Sequence, residues 1–403
     1  MAGAHRRGAL PPETVRPKAP PGVEAVRPKA PGAEAVREEP VREEPVREGH
    51  AAPVPLPPPD GPATSGGRDR YVDALRAFAL VRVVTYHTFE WPWLGLVFPS
   101  MGVMFALAGS LMARSLERPA GKVIRSRLRR LLVPMWVFGA VLVVAMAKHG
   151  WLPGADAVYW VLPVGDPPGD AWGEQAWAVL WYLRTYLWFV LLSPLLLGLF
   201  RRAPLAVLLL SLVPVVVFET LWTLPDGRLG AALSDLSVFL FCWLLGFAHR
   251  DGLLDRPRPG RVVAAALVLM AVGGWWAFHH QVDGTYDLDD IPLAQALWSA
   301  GFVLLLLRFR PDFGWLARRP VADRVVRIFN ARAVTVYLWH EVALMVSVPL
   351  IDVMWNIPAF ERDLPLDSAW FQFGIAWVLI AAAVALFGWV EDVAAERRPR
   401  LLP

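Results

Sequence analysis

The chain has 403 residues, 56% of them hydrophobic, and a net charge of +4. Soluble domains average about 45–50% apolar residues. The excess here lies beyond residue 67, because the first 67 residues are polar and Pro-rich, and this excludes an ordinary soluble enzyme. A nucleic-acid footprint is not needed to explain the charge, since basic loops orient membrane proteins; no nucleic-acid partner is expected. The only cysteine, Cys242, stands in an apolar run, so no intramolecular disulfide can form.

Residues 1–67 carry an imperfect repeat. Val15-Arg16-Pro17-Lys18-Ala19-Pro20 recurs as Val26-Arg27-Pro28-Lys29-Ala30-Pro31, and Val36-Arg37-Glu38-Glu39-Pro40 as Val41-Arg42-Glu43-Glu44-Pro45. Dense proline blocks helix, and few large apolar residues offset ordering entropy. The expectation is a disordered, polyproline-biased cytoplasmic tail. No apolar stretch follows Arg6 and Arg7, so it does not read as a signal peptide.

From Tyr71 onward, apolar runs of the length that crosses about 30 Å of hydrocarbon recur. Spans are expected at 71–90, 97–114, 131–148, 179–200, 204–222, 234–249, 262–279, 292–308, 333–352 and 370–390. The loops after the second, fourth, sixth and eighth spans hold 20 basic residues, while the intervening loops hold two, Arg228 and Arg362. That positive-inside alternation puts both termini in the cytoplasm and requires an even number of spans. The fold expected is therefore an all-α polytopic membrane protein with about ten transmembrane helices. Tryptophans such as Trp91, Trp151, Trp172 and Trp181 gather toward the outer face. They read as an interfacial belt, or as a surface that stacks sugars or lipid headgroups.

Ionisable residues inside spans are costly and mark function by default. The first span has the densest set: Asp73, Arg76, Arg82, His87 and Glu90. Eleven residues separate Arg76 from His87, which puts them within about 20° of one face and about 17 Å apart along the axis. His87 is a candidate general base, with Glu90 three residues on to orient the ring, or else a histidine bonded between helices. Arg82 falls elsewhere on the wheel and reads as an ion-pair or packing residue. Arg125, Arg127, Arg129 and Arg130 precede the third span. They could hold lipid phosphate and set topology, or clamp a phosphorylated donor. Arg184 in the fourth span could pair with Glu219 in the fifth. His340 and Glu341, in the ninth, are further cavity candidates. His279 and His280 beside Asp283 lack a convincing third metal ligand and read as a solvated loop; no metal is expected. Gly102 and Gly109, with Ala106 and Ala108, make the second span small-faced, which permits close helix approach.

The chain here resembles the acyltransferase-3 family of integral membrane acyltransferases. The match begins at Tyr71-Val72-Asp73-Ala74-Leu75-Arg76-Ala77 and runs through Val83-Val84-Thr85-Tyr86-His87. The family's first helix has an Arg, ten residues, then a His. Met104-Phe105-Ala106-Leu107-Ala108-Gly109 resembles its second helix, and Arg127-Leu128-Arg129-Arg130 followed by Pro134 its Arg-x-x-Arg element. Trp181-Tyr182-Leu183 and Tyr337-Leu338-Trp339-His340 resemble later segments. The resemblance implies transfer of an acyl group, often acetyl, from cytosolic acyl-CoA to a hydroxyl of a glycan, lipid-linked sugar or other small acceptor. His87 would be the base, Arg76 a donor-site or charge-stabilising residue, and Arg127 with Arg130 the coenzyme A contacts. The division expected is a tail over 1–67, an acyltransferase-like membrane domain over 68–395 and a short cytoplasmic tail over 396–403, in the plasma membrane and in contact with its lipid. The competing reading is a transporter of a lipid or sugar, although no convincing repeat between the halves supports it.

Overall fold

The computed structural model describes residues 69–400. The tail expected over 1–67 lies outside the described residues, as do Leu401–Pro403. Every regular element among the described residues is helical. Twelve helices are used below: α1 (Arg70–Phe89), α2 (Ser100–Ser115), α3 (Ala120–Lys148), α4 (Leu180–Arg202), α5 (Pro204–Thr220), α6 (Arg228–Arg250), α7 (Pro259–His279), α8 (Pro292–Arg308), α9 (Pro320–Ala331), α10 (Ala333–Trp355), α11 (Ala369–Phe387) and α12 (Trp389–Ala394).

Each of the ten expected spans falls on one of these helices. Seven are long and apolar enough to cross a membrane: α2 together with the short helix before it, α3, α4, α6, α7, α10 and α11. The other three differ for physical reasons. α1 has 20 residues but carries Asp73, Arg76 and Arg82, whose polarity is turned into the bundle. α8 has 17 residues, and α5 is interrupted at Ser211-Leu212, just before Pro214, a residue with no N–H to continue the ladder.

Two expectations are corrected. α3 begins at Ala120, not at 131, so Arg125, Arg127, Arg129 and Arg130 stand on the helix itself. At 29 residues it is about 43 Å long, more than the hydrocarbon requires. The segment after α8 was expected as a plain basic loop. It contains α9, whose period puts Val321, Val325, Ile328 and Phe329 on one face and Arg324 and Arg327 on the other, the pattern of an interfacial helix.

α2 is the centre of the bundle and packs on α1, α4, α6 and α8. Its small residues permit that. A Cβ on Gly109 would stand 2.3 Å from the Trp243 carbonyl of α6, and one on Gly246 2.1 Å from the Ala106 carbonyl of α2. The two backbones therefore touch with no room for a methyl group, while Phe105, Phe189 and Trp243 fill the layer beside them. α1 lies between α2 on one side and α10 with α11 on the other, which brings its polar face against the middle of α10.

Gly246→Ala is expected to destabilise the bundle by about 1–3 kcal/mol through overpacking, whereas Gly121→Ala, with nothing near its Cβ position, is expected to be neutral. Thermal unfolding of the two variants in detergent checks this.

Candidate functional site

α1 is set by its ends. Asp69 caps its N-terminus, accepting from the N–H groups of Tyr71 at 3.1 Å and Val72 at 3.2 Å. Its C-terminus stops at Glu90, which is left-handed at φ 48°. Between them the eleven-residue spacing places Arg76 and His87 on a common face, and the two open onto different cavities.

The first cavity, of about 310 Å³, lies toward the acidic loops and is lined by His87, Arg82, Tyr86, Trp181, Asp235, Phe239, Asp289, Gln295 and Tyr337, among others. Its roof is the α7–α8 loop, held to α1 by a 2.7 Å bond from the Tyr86 hydroxyl to Asp287. Arg82 stands 3.8 Å from Asp289 and 4.9 Å from the Tyr86 ring centre, so the ion-pair role read from its wheel position has a partner. Gln295 donates to Asp289 at 2.9 Å, and Trp181 stacks on Phe239 at 5.6 Å.

The carboxylate against the His87 ring belongs to Glu341, not to Glu90. Nδ1 of His87 is 3.2 Å from Glu341 Oε2, with the His87 side chain 37% and the Glu341 side chain 12% exposed. Glu90 follows the last helical turn as its C-cap and is exposed. His340 is fully buried and meets His87 edge-on at 5.0 Å between ring centres. Its Nδ1 lies 2.5 Å from the Tyr337 carbonyl, so that nitrogen is the donor and Nε2 carries the lone pair. One donor atom from each of His87, His340 and Glu341 lies within 4.8 Å of the others. Two imidazoles and a carboxylate could also hold a divalent cation.

The second cavity, of about 410 Å³, lies toward the basic loops. Arg76, Arg127, Arg130 and Arg397 line it, with Tyr182, Tyr186, Tyr337, Glu391 and Asp392. Arg127 donates to Ser115 Oγ at 3.0 Å and to the Tyr186 hydroxyl at 3.4 Å, which aims its fork. Arg125 is exposed and off this cavity, and Arg129 is engaged by Glu396 and the Ala394 carbonyl. The acids do not neutralise the arginines fully. Asp392 is taken by the buried Arg332 at 2.7 Å. Glu391 accepts from the Thr335 N–H at 2.7 Å and its hydroxyl at 2.5 Å, and so caps α10 from another helix. Burial pushes the Glu391 carboxyl up to about 7.

Arg184 does not pair with Glu219. It binds Asp166 of the long α3–α4 loop and Asp235 of α6, and so fixes Asp235 at the first cavity. His279 and His280 are exposed at the end of α7, their Nδ1 atoms 2.8 and 3.0 Å from carbonyls of their own helix. Tyr337, Asp235, Asp289, Gln295, Glu391 and Arg397 were missed by sequence reasoning. Asp235 and Glu391 carried the signal of an acid next to an apolar run, and Tyr337 stood in a segment that resembles the family; Asp289, Gln295 and Arg397 carried none.

A model of the acyltransferase domain matches residues 69–390. The chain belongs to the acyltransferase-3 family. No curated protein and no solved structure matches it. As a member it is a membrane acyltransferase, a class that needs an acyl donor and an acceptor.

Glu391 supplies a pH test. A carboxyl whose folded pKa is raised makes the folded state hold its proton longer, so stability falls as pH rises from its ordinary 4.5 through about 7. Glu391→Gln keeps an acceptor for Thr335 without the charge. It is expected to be more stable than the parent at pH 8, by roughly 3 kcal/mol at most, and close to it at pH 5; melting curves at both pH values measure the difference.

Proposed function

We infer that the protein is a ten-span O-acyltransferase of the plasma membrane. It takes an acyl group, often acetyl, from cytosolic acyl-CoA and delivers it to a hydroxyl of a glycan, lipid-linked sugar or other small acceptor. One observation carries this reading: Arg76 and His87 share a face of α1, yet one opens into an arginine-lined cavity and the other into a cavity where the imidazole stands 3.2 Å from a carboxylate.

The positive-inside pattern supports a cytoplasmic basic end and both termini on that side. There the phosphates of coenzyme A meet Arg76, Arg127, Arg130 and Arg397, whose guanidinium groups match phosphate oxygens. The neutral pantetheine arm carries the thioester toward His87. The acceptor occupies the His87 cavity, where Trp181 and Phe239 offer an aromatic wall and Asp235, Asp289 and Gln295 offer hydrogen bonds.

In the reaction, Nε2 of neutral His87 takes the acceptor hydroxyl proton as the oxygen attacks the thioester carbonyl. Glu341, on Nδ1, stabilises the imidazolium that forms and fixes the tautomer. The tetrahedral intermediate collapses with cleavage of the carbon–sulfur bond, and the departing thiolate receives the proton from His87. The products are the acyl ester and free coenzyme A, with every proton accounted for and no metal in any step.

Labelled acetyl-CoA supplied to membranes containing the protein tests the reading. His87→Ala is expected to lower transfer by about 10²–10⁴-fold, and Glu341→Gln to lower kcat with little change in KM. Arg127→Ala and Arg130→Ala are expected to raise KM for acetyl-CoA but not for acetyl-pantetheine, which lacks the phosphates. A chelator is expected to leave the rate unchanged. Undiminished transfer by a correctly inserted His87→Ala protein would remove the mechanism, and solute flux into liposomes without acyl-CoA would favour a transporter.

A further inference from the structure

The two cavities share one lining residue, Tyr337 of α10. Its ring is buried, 5.0 Å from the ring centre of Tyr182, which lines the basic cavity. Tyr182 in turn lies 4.8 Å from Phe105, and Phe105 4.8 Å from Phe239, which lines the His87 cavity. At Tyr337 a single side chain separates the spaces, and beside it the series Tyr182, Phe105 and Phe239 stands between them. The Tyr337 hydroxyl is not directed at either space but donates to the Val179 carbonyl at 2.9 Å, at the start of α4. Its backbone carbonyl meanwhile holds His340 Nδ1, so the main chain is tied to the imidazole pair while the ring closes the wall.

We propose that Tyr337 is the specificity-determining partition of this enzyme: its ring separates the donor and acceptor chambers and limits the acyl groups that reach His87 to short ones. The proposal rests on the acyl-CoA reading above. Phosphates held at Arg76 and Arg127 leave the thioester about 17 Å of helix to travel before it meets His87, and the route passes Tyr337. The chamber beyond is about 310 Å³, at the small end of ligand cavities, and must hold the acyl group together with the reacting part of the acceptor. An acetyl group adds little to that load, whereas each further methylene must displace the Tyr337 ring or the acceptor. Removing the ring joins the chambers into one continuous space. Losing only the hydroxyl frees the ring from Val179 without shortening it, so opening becomes easier while the size limit stays.

Two measurements separate this proposal from the function it rests on. The first needs no activity. In a Cys242→Ala background, His87→Cys is treated with a membrane-impermeant thiosulfonate added to either face of sealed vesicles. With Tyr337 present, labelling is expected to be at least tenfold slower from the basic-loop face than from the acidic-loop face; with Tyr337→Ala or Tyr337→Leu the two rates are expected to converge. Equal labelling from both faces with Tyr337 intact would overturn the partition. The second uses release of free coenzyme A from acetyl-, butyryl- and octanoyl-CoA by the full-length protein in its native membranes, whose acceptor hydroxyls take the acyl group, with His87 in place. Tyr337→Ala is expected to raise the butyryl-to-acetyl rate ratio by roughly tenfold or more, and Tyr337→Phe to keep the parent ratio while altering the rate. An identical chain-length profile in all three proteins would overturn the size limit. Absence of release from every donor by the parent protein would instead count against the acyl-CoA reading, and the labelling result would still decide the partition.

Discussion

A charge inside a helical bundle needs a partner or a wet space, because an unpaired ion in a low-dielectric interior is too costly to keep. α1 carries Arg76, Arg82 and His87 along its length, and the surrounding structure supplies a partner or a cavity to each. Arg82 draws Asp289 and the α7–α8 loop over one end. His87 draws Glu341. Arg76 shares a cavity with three other arginines that have no matching number of free acids. The same constraint acts away from α1. Arg184 gathers Asp166 and Asp235, and the buried Arg332 holds Asp392 and the Arg400 carbonyl, which brings the chain after α12 into the wall of the basic cavity.

Such polar geometry is only as good as the scaffold that holds it. The scaffold is the contact between α2 and α6, where Gly109 and Gly246 let carbonyl groups approach what would otherwise be a side chain. Packing of this kind is the usual basis of helix association in lipid, where the apolar solvent gives no preference for burying apolar side chains. Because Arg76 and His87 stand on one helix, α1, which rests on α2, the distance between these two is fixed by helix geometry and not by a loop.

Much of this was legible in the sequence. Apolar run length located ten helices, and the eleven-residue spacing on a 3.6-residue period gave the common face of Arg76 and His87. The small residues Gly102, Ala106, Ala108 and Gly109 pointed to close packing of the second span. What failed had one cause. Partner assignment from spacing sees only neighbours along the chain, so it offered Glu90 for His87 and Glu219 for Arg184, whereas the acids used are Glu341, Asp166 and Asp235 from distant segments. Hydropathy windows also misplaced the start of α3, because a run rich in arginine forms helix as well as an apolar one does. Tyr337 was quoted as part of a motif, but nothing in one dimension shows that it faces two cavities at once.

The central claim is that a donor in the arginine cavity and a base in the cavity beyond act through one passage. Cryo-electron microscopy of the full-length protein in lipid nanodiscs, bound to a non-reactive thioether analogue of acetyl-CoA, tests this most directly. The account predicts nucleotide phosphates among Arg76, Arg127, Arg130 and Arg397, with the arm threading past Tyr337 and its tip beside His87. Density for the nucleotide in the His87 cavity, or an analogue bound elsewhere on the surface with the arginine cavity empty, would contradict it.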